Sequence, residues 1–159
     1  MAVFYSFHYD RDFFRVQQIR NMGAVEGQKI ANAQDWESVK KGGDAAIEKW
    51  IADQMAYKTA LVVLVGAKTA SRKWVRREIA YAWDNKKPLV GVRIHGLADA
   101  SSSTDLKGEN PFAAVTLKGG GTVGDYVTLH SPSGSNSKAV YADIKANLST
   151  WTKNAYKRS

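Results

Sequence analysis

The chain of 159 residues has no cysteine and only three histidines. Without cysteine it can form neither disulfides nor thiolate–metal bonds, which fits the reducing cytosol. The histidines show no metal-motif spacing; they are His8, His95 and His130. No apolar run is long enough to cross a bilayer, and the N-terminus begins with a strand pattern and not with a signal peptide. We therefore expect a cytoplasmic protein without a metal, a disulfide or a membrane attachment.

Positive charge is in excess, with 23 Lys and Arg against 15 Asp and Glu, a net charge of +8 and a pI near 9.7. This favours anionic partners such as dinucleotides, although a basic surface that merely keeps the protein soluble is equally consistent. A nucleic-acid partner is not expected, because the chain has neither a long basic run nor basic residues interleaved with aromatics. The length and the 44% hydrophobic share predict one domain, residues 1–159, with a substantial core.

Strand-like and helix-like segments alternate along the chain. Strands are predicted at Ala2–Phe7, Leu61–Val65 and Leu89–Ile94, and helices over residues 10–22, 44–55, 71–84 and 141–155, the last after a flexible linker at 131–137. The strand at 61–65 is continuously apolar, as expected when both faces of a sheet are covered. The alternation predicts an α/β protein with a mostly parallel central sheet and right-handed crossovers, which we interpret as a flavodoxin-like three-layer sandwich.

Weaker signals complete the predicted architecture. A short second strand is expected near Ala24-Val25, followed by a loop that carries Trp36. Gly42-Gly43-Asp44 predicts a helix start with Asp44 as the N-cap. The last strand is expected over Thr122–His130, at an edge of the sheet.

The most informative segment, Ser71–Ile79, begins a predicted helix shortly after the apolar strand. Open α/β proteins bind ligands at such a carboxyl end of a strand. Trp74 and Glu78 are four residues apart and share one face of the helix. Basic residues crowd the helix start, where the dipole disfavours cations and where phosphates bind; they are Arg72, Lys73, Arg76 and Arg77. Residues that oppose a local structural preference, like these cations at a helix start, often mark a functional site.

This segment resembles the Ser-x-x-Trp-Val-x-x-Glu-Ile signature of TIR domains, and Val3–Tyr9 resembles the first TIR strand with the loop after it. Three stretches narrow the resemblance to the TIR-like subfamily that includes ThsB, the sensor subunit of Thoeris anti-phage systems. They are Trp36-Glu37 to Asp44, Trp74–Ile79 and Gly108–Phe112. The resemblance extends from about residue 2 to Phe112 and is weak over residues 113–159, where a strand and a helix are expected.

The resemblance implies a catalytic role for Glu78, since the matching glutamate of TIR enzymes contacts the ribose hydroxyls of the nicotinamide riboside. Nicotinamide is a cationic leaving group that needs no general acid, and a nearby carboxylate stabilises the oxocarbenium-like sugar left behind. NAD would be a substrate and not a cofactor, because the chain has neither a Rossmann nor a P-loop fingerprint. The alternative for Glu78 is a surface ion pair with a basic residue one turn away.

Six further residues are candidate substrate-binding residues: His8, Tyr9, Arg11, Ser71, Trp74 and His95. The pocket is expected between the loop after strand one and the Gly66–Ser71 turn, at the topological switch point of the sheet. Aromatic rings there can stack on a base, and Arg11 can meet a phosphate. Structural alternatives stay open: a core aromatic for Trp74, a helix cap for Ser71 and a purely structural residue for His95. Asp10 is expected to cap the first helix.

The resemblance implies an enzyme that cleaves NAD, releases nicotinamide and makes a cyclic or conjugated ADP-ribose signal molecule. It also implies an effector protein that this signal activates, a phage-derived trigger and assembly of the chain into a homo-oligomer. The chief alternative is a non-enzymatic TIR-like adaptor that signals by assembling with partner proteins.

Overall fold

A central parallel sheet organises the computed structural model, which describes residues 2–27 and 38–159. The described strands are β1 (Ala2–Ser6), β2 (Glu26–Gly27), β3 (Ala60–Val65), β4 (Leu89–Arg93) and β5 (Leu129–His130). The longer helices are α1 (Tyr9–Asn21), α2 (Gly43–Met55), α3 (Lys73–Asp84) and α4 (Ser137–Lys153). The sheet order is β2-β1-β3-β4-β5 and each of these pairs is parallel, which confirms the predicted flavodoxin-like architecture.

Two apolar layers cover the two faces of the sheet, because successive strand residues point to opposite faces. On one face, Val62 and Leu64 of β3 pack with residues of α1 and α4. On the other face, Leu61, Val63 and Val65 pack with residues of α2 and α3. All six residues of β3 are buried, as its continuous apolar run predicts.

The topology brings two loops together at one edge of the sheet. β1 and β3 are neighbours, with Ser6 paired to Val63. The helix that follows β1 packs on one face and the helix that follows β3 packs on the other. The connections therefore diverge at the carboxyl ends of these two strands and leave a crevice between them, which is where ligands bind in this class of sheet.

Close packing accounts for the residue types found in the Gly108–Phe112 stretch. Phe112 is fully buried, and its ring lies where a side chain on Gly91 would be, since a Cβ at Gly91 would lie 2.6 Å from that ring. Asn110 begins a short 3-10 helix by accepting a hydrogen bond from the backbone N–H of Phe112 at 2.9 Å. A Cβ on Gly108 would lie 2.2 Å from the carbonyl oxygen of Gly66. The stretch therefore fastens the chain before Pro111 closely against the turn that follows β3.

Several predicted boundaries were wrong. The second strand is Glu26–Gly27 and not Ala24-Val25; Val25 is buried in the core, and its carbonyl oxygen accepts a hydrogen bond from the hydroxyl of Tyr5. α2 begins at Gly43 with Gly42 as its N-cap, so Asp44 lies in the first turn, where its charge favours the helix dipole without capping it.

The last strand is also shorter than predicted, although it does lie at the edge of the sheet. β5 is only Leu129–His130, and Val123–Asp125 forms a short 3-10 helix instead. Thr122 and Asp125 form a reciprocal capping box there, which satisfies backbone donors without a partner strand. The loop predicted to carry Trp36 lies outside the described residues. None of the helices in the described ranges is both long enough and apolar enough to cross a membrane.

Candidate active site

Glu78 lies on the buried side of α3, where only 7% of its surface is exposed. Its neighbours on the helix, Val75 and Ile79, belong to the apolar stripe that packs on the sheet, so the helical period turns Glu78 toward β1. The hydroxyl of Ser6, the last residue of β1, donates a hydrogen bond to Oε1 of Glu78 at 2.8 Å. The carboxyl group of Glu78 is thus held at the carboxyl edge of the sheet and not at the protein surface. The alternative for Glu78, a surface ion pair with a basic residue one turn away, does not form.

A small cavity opens in front of this carboxyl. Its lining residues come from the loop after β1 and from the start of α3: Phe7, Tyr9, Arg72, Trp74, Val75 and Glu78. The rings of Phe7 and Tyr9 lie against one another with their centroids 4.2 Å apart. The cavity volume is about 10 Å³, which is no more than one water molecule needs. We call it the Glu78 cavity.

Burial dominates the electrostatics of the Glu78 cavity. It raises the pKa of Glu78 to about 8, against the opposing effect of the Ser6 hydrogen bond, because a buried carboxylate loses its hydration. Burial also raises the pKa of the Tyr9 hydroxyl, and a negative charge on Glu78 raises it further. At pH 7 both groups are therefore mainly neutral, and an arriving cation would favour ionisation of the carboxyl.

A wider cleft of about 390 Å³ lies at the same edge of the sheet. One wall carries Arg11 of α1 and the turn after β3, including Lys68 and Ser71; the facing wall is the segment 105–109. We call this space the Arg11 cleft. Ser71 lines the Arg11 cleft and the next residue, Arg72, lines the Glu78 cavity, so the two spaces are adjacent along one turn.

Charged side chains of both signs surround the Arg11 cleft. The cations are Arg11, Lys68 and Lys107, and the anions are Asp105 and Glu109. Nη2 of Arg11 donates a hydrogen bond to Oδ2 of Asp105 at 2.8 Å, which joins the two walls. This cleft therefore differs from the Glu78 cavity, whose walls are largely aromatic and aliphatic.

Buried Arg15 holds the chain that leads into the facing wall. Its guanidinium donates to the carbonyl oxygens of Leu97 at 2.8 Å and Ser103 at 3.0 Å, and it pairs with the fully buried Asp12 at 3.2 Å. Further along the wall, Arg93 of β4 donates to the carbonyl oxygen of Gly108 at 2.6 Å. Segment 97–108 is therefore fixed at both ends by arginines that come from other elements.

The cations at the start of α3 are paired, which offsets their unfavourable place at the helix dipole. Lys73 lies 3.3 Å from Asp44, and Arg77 forms an ion pair with Glu48; both carboxylates belong to α2. Arg72 lies 3.8 Å from Asp10 of α1. These cations therefore also fasten α3 to its neighbours, a structural role that accounts for part of the basic cluster.

The structure brings several predicted site residues together. Glu78, Tyr9 and Trp74 line the Glu78 cavity, whereas Arg11 and Ser71 line the Arg11 cleft. The predicted pocket is thus divided in two. Trp74 is only half-buried at the rim, with the ammonium of Lys73 4.8 Å from its ring centre.

Other predictions for single residues need correction. Asp10 does not cap α1, because His8 is the N-cap and its Nδ1 accepts a hydrogen bond from the backbone N–H of Arg11 at 3.3 Å. Burial lowers the pKa of His8, which keeps the imidazole neutral and able to accept. Ser71 does not cap α3 either: its hydroxyl donates to the carbonyl oxygen of Lys68 at 2.7 Å, and Arg72 is the N-cap residue.

His95 follows β4 at the same edge of the sheet, but it is absent from the lining of both spaces. Its carbonyl oxygen accepts the backbone N–H of Asp105 at 2.9 Å, which orders the facing wall. Its Nδ1 is buried without a hydrogen-bond partner among the described residues, and burial lowers its pKa. In the described structure, His95 therefore contributes to the site through its backbone, which orders the facing wall.

Several residues of the site were not among the predicted binding residues; they include Ser6, Phe7, Lys68, Asp105 and Lys107. For Ser6 a signal was present, because strand alternation places it on the face of Phe4, toward α3, as a polar residue at the end of an apolar strand. Asp105 and Lys107 lie in a polar stretch without periodicity, which predicts a loop but not where that loop packs. Among the described residues, no group of three or more His, Asp or Glu side chains could hold a metal ion.

Comparison with known proteins places this chain in a family. The family model of the TIR-like domain of the Thoeris protein ThsB matches residues 4–99, which include Glu78 and the loop after β1. A ThsB1 protein of Bacillus cereus (strain MSX-D12), whose name describes it as a candidate cyclic ADP-D-ribose synthase, is 35% identical over 115 residues. The alignment covers 69% of this chain and 60% of the relative, so the chain spans about 60% of that protein's length. Because the family model covers more than half of the chain and the fold agrees with it, the chain belongs to the TIR-like domain family of Thoeris ThsB proteins.

Proposed function

We propose that this chain cleaves the N-glycosidic bond of NAD, releases nicotinamide and transfers the ADP-ribosyl group to an acceptor, which yields a signal molecule. The observation that carries the proposal is the buried carboxyl of Glu78, held by Ser6 at the switch point of the sheet and facing an aromatic-lined cavity. The relative's name, which describes a cyclic ADP-D-ribose synthase, supports the same chemistry.

The main chemical requirement that this reaction places on the protein is one negative charge. The bond between the ribose C1′ and the nicotinamide nitrogen breaks, and nicotinamide leaves as a neutral molecule with the bonding electron pair. The positive charge moves to the sugar, where the carboxylate of Glu78 stabilises it electrostatically. An acceptor nitrogen or hydroxyl of the adenosine half, or of a second metabolite, then forms a bond to C1′. The proton that a hydroxyl acceptor gives up can pass to Glu78, whose raised pKa makes it a suitable base.

Binding of the cationic substrate favours the negative charge on Glu78, which the free site lacks. With a pKa of about 8, Glu78 is mainly protonated at pH 7. The positively charged nicotinamide ring favours the carboxylate when it enters, so ionisation and binding are coupled. In the Arg11 cleft, Arg11 and Lys68 are suited to the diphosphate, because guanidinium groups bind phosphate oxygens in pairs.

The Glu78 cavity must open before this chemistry can occur. Its volume of about 10 Å³ is far below what a nicotinamide riboside requires, so the residues at its rim have to move apart. Tyr9 of α1 and Arg72 at the start of α3 both line the cavity, and Arg72 forms with Asp10 an exposed ion pair that contributes little. This closed arrangement supports an enzyme that is activated by a phage-derived trigger or by assembly into a homo-oligomer.

The signal would be a cyclic ADP-ribose or ADP-ribose joined to a small metabolite, made in the cytoplasm and recognised by an effector protein of the defence system. Aromatic walls favour such a product over simple hydrolysis, because capture of an acceptor requires that water be kept from the sugar cation. Phe7, Tyr9 and Trp74 provide those walls in the described structure.

Substitution of Glu78 tests the proposal. Glu78→Gln preserves the shape of the side chain and removes the charge, and it should slow nicotinamide release at least about a hundredfold. The matched control is Glu26→Gln, the same chemical change at an exposed position on β2. Both variants are compared with the parent chain under activating conditions, with products separated by chromatography and identified by mass spectrometry.

The outcomes separate the enzyme from the adaptor. Loss of nicotinamide release in Glu78→Gln but not in Glu26→Gln supports the catalytic role of Glu78. Equal release by all three folded proteins would refute it. An activated, assembled parent chain that releases no nicotinamide would instead favour the non-enzymatic adaptor.

A further inference from the structure

The ion pair between Arg11 and Asp105 occupies the guanidinium that a diphosphate would use. The pair joins the two walls of the Arg11 cleft at 2.8 Å, and its members are 42% and 18% exposed. Asp105 is the better fixed of the two, because its Oδ1 accepts the backbone N–H of Leu106 at 2.8 Å and its own N–H donates to the carbonyl oxygen of His95. The carboxylate of Asp105 is therefore fixed by backbone contacts in the cleft wall, and the side chain of Arg11 extends to it.

A carboxylate and a phosphate make the same demand on an arginine. Asp105 accepts from Nη2 of Arg11, and a phosphate bound through a pair of donors that includes Nη2 would compete with Asp105 for that nitrogen. An ion pair in contact with solvent is weak, so a diphosphate with several negative charges can displace Asp105. The displaced carboxylate still lies in the cleft, where it repels the new anion.

The second acidic residue of the cleft lacks this relationship. Glu109 also lines the cleft, yet it is not a partner of Arg11 in the described structure, whereas Asp105 contacts Arg11 and lies 3.8 Å from Arg15. The two residues carry the same charge in the same space and differ in their contact with Arg11. They therefore form a matched pair for separating competition at one guanidinium from general repulsion.

We propose that Asp105 is an internal competitor for the diphosphate at Arg11, so that its carboxylate holds this guanidinium in place and weakens the binding of diphosphate-bearing ligands. The inference rests on the proposed function for the identity of that ligand, a dinucleotide diphosphate. It makes Asp105 a determinant of affinity and not a catalytic residue.

Calorimetric titration with inorganic pyrophosphate tests the inference on the full chain without any turnover. Asp105→Asn should bind pyrophosphate about tenfold more tightly than the parent chain, because it frees Arg11 and removes the repulsion. Glu109→Gln should gain no more than about twofold, as expected for an exposed charge without an ion-pair partner among the described residues. The gain of Asp105→Asn should shrink as salt is added.

A double-mutant cycle identifies Arg11 as the group in competition. Arg11→Gln should weaken pyrophosphate binding about tenfold, and Asp105→Asn added to it should recover no more than about twofold. Asp105→Ser serves as the second variant, since it removes the same charge with a different shape and should also tighten binding. Circular dichroism and thermal unfolding verify that each protein is folded.

Three results would overturn the inference. They are equal gains by Asp105→Asn and Glu109→Gln, weaker binding by either folded Asp105 variant, and no pyrophosphate binding by either the parent chain or Asp105→Asn. The expected cycle together with undiminished nicotinamide release by Glu78→Gln would leave the role of Asp105 intact and remove the proposed catalysis. The two ideas therefore fail separately.

Discussion

The Glu78 cavity and the Arg11 cleft are adjacent at one edge of the sheet, yet they control charge in opposite ways. In the cavity, one carboxyl is buried among aromatic and aliphatic groups, and loss of hydration raises its pKa to about 8. In the cleft, carboxylates and cations meet in contact with solvent. Partial burial acts to raise the pKa of Asp105, but the hydrogen bonds from Arg11 and from the backbone of Leu106 outweigh it and hold this pKa below its usual range. The comparison shows how one fold can hold a neutral, poised acid beside a charged binding surface.

The largest effect should be a loss of stability with rising pH that depends on Glu78. Its pKa is about 8 in the folded chain against a reference value of 4.5, so the folded state keeps a proton that the unfolded chain has lost. Stabilisation is fully present below the unfolded value and is lost as the pH rises through 8. Relative to Glu78→Gln, the parent chain should lose about 4 kcal/mol of unfolding free energy between about pH 5 and about pH 9.

Urea unfolding of both proteins across this range measures that difference. The Gln variant is the control, because it keeps every other titrating group. Parallel pH profiles for the two proteins would mean that Glu78 titrates normally, and the contrast between cavity and cleft would disappear.

Two arginines near the cleft should differ strongly in their effect on stability. Arg15→Gln breaks a buried ion pair with Asp12 and two bonds to backbone carbonyls, which should cost about 3 kcal/mol of unfolding free energy. Arg11→Gln breaks an exposed pair and should cost less than about 1 kcal/mol. Chemical denaturation ranks them, and similar losses would show that the cleft wall is not held by its buried arginine.

Catalysis should rise with pH, because the carboxylate of Glu78 is the active form. The value of kcat/KM for nicotinamide release should increase about fiftyfold between about pH 6 and about pH 8 and then level off, since this ratio reports the free enzyme. The rise in kcat should come at lower pH, because the bound nicotinamide cation favours ionisation. Steady-state kinetics under activating conditions measure both profiles, and a flat kcat/KM would contradict the raised pKa.

The smallest effect concerns the hydrogen bond from Ser6. Ser6→Ala removes a donor that favours the carboxylate, so the pKa of Glu78 should rise further and kcat/KM at pH 7 should fall about tenfold. The loss should be partly recovered at about pH 9, where the carboxyl ionises again. Ser149→Ala on α4 is the matched control and should keep the parent activity. A loss that does not change with pH would point to altered packing instead.

The fold was accessible from the sequence because its signals are local. The continuous apolar run at β3 predicted a strand covered on both faces, and the spacing of Ile144 and Leu148 predicted the helix that covers one of them. Predictions were poorest where strands are short. Glu26–Gly27 and Leu129–His130 have two residues each, too few for alternation to be visible, and neighbouring strands define them by pairing.

The site was accessible only in part. The strand, the turn and the helix of Ser71–Ile79 placed Glu78 and Trp74 at the carboxyl edge of the sheet, and the family comparison covers that region. The division of the predicted pocket into a closed cavity and an open cleft was not predicted, because it depends on the packing of segment 105–109 against the turn after β3.

The sequence by itself determined the alternation of strands and helices, the strand that is covered on both faces and the presence of a glutamate near the start of the helix that follows it. These properties follow from hydrophobic period and chain connectivity, which act over a few residues at a time. Only the tertiary structure decided that Glu78 is buried beside Ser6, 72 positions away, and that Arg11 is paired with Asp105, 94 positions away. Burial and charge pairing depend on distances in space, and those distances exist only once the layers have closed on the sheet.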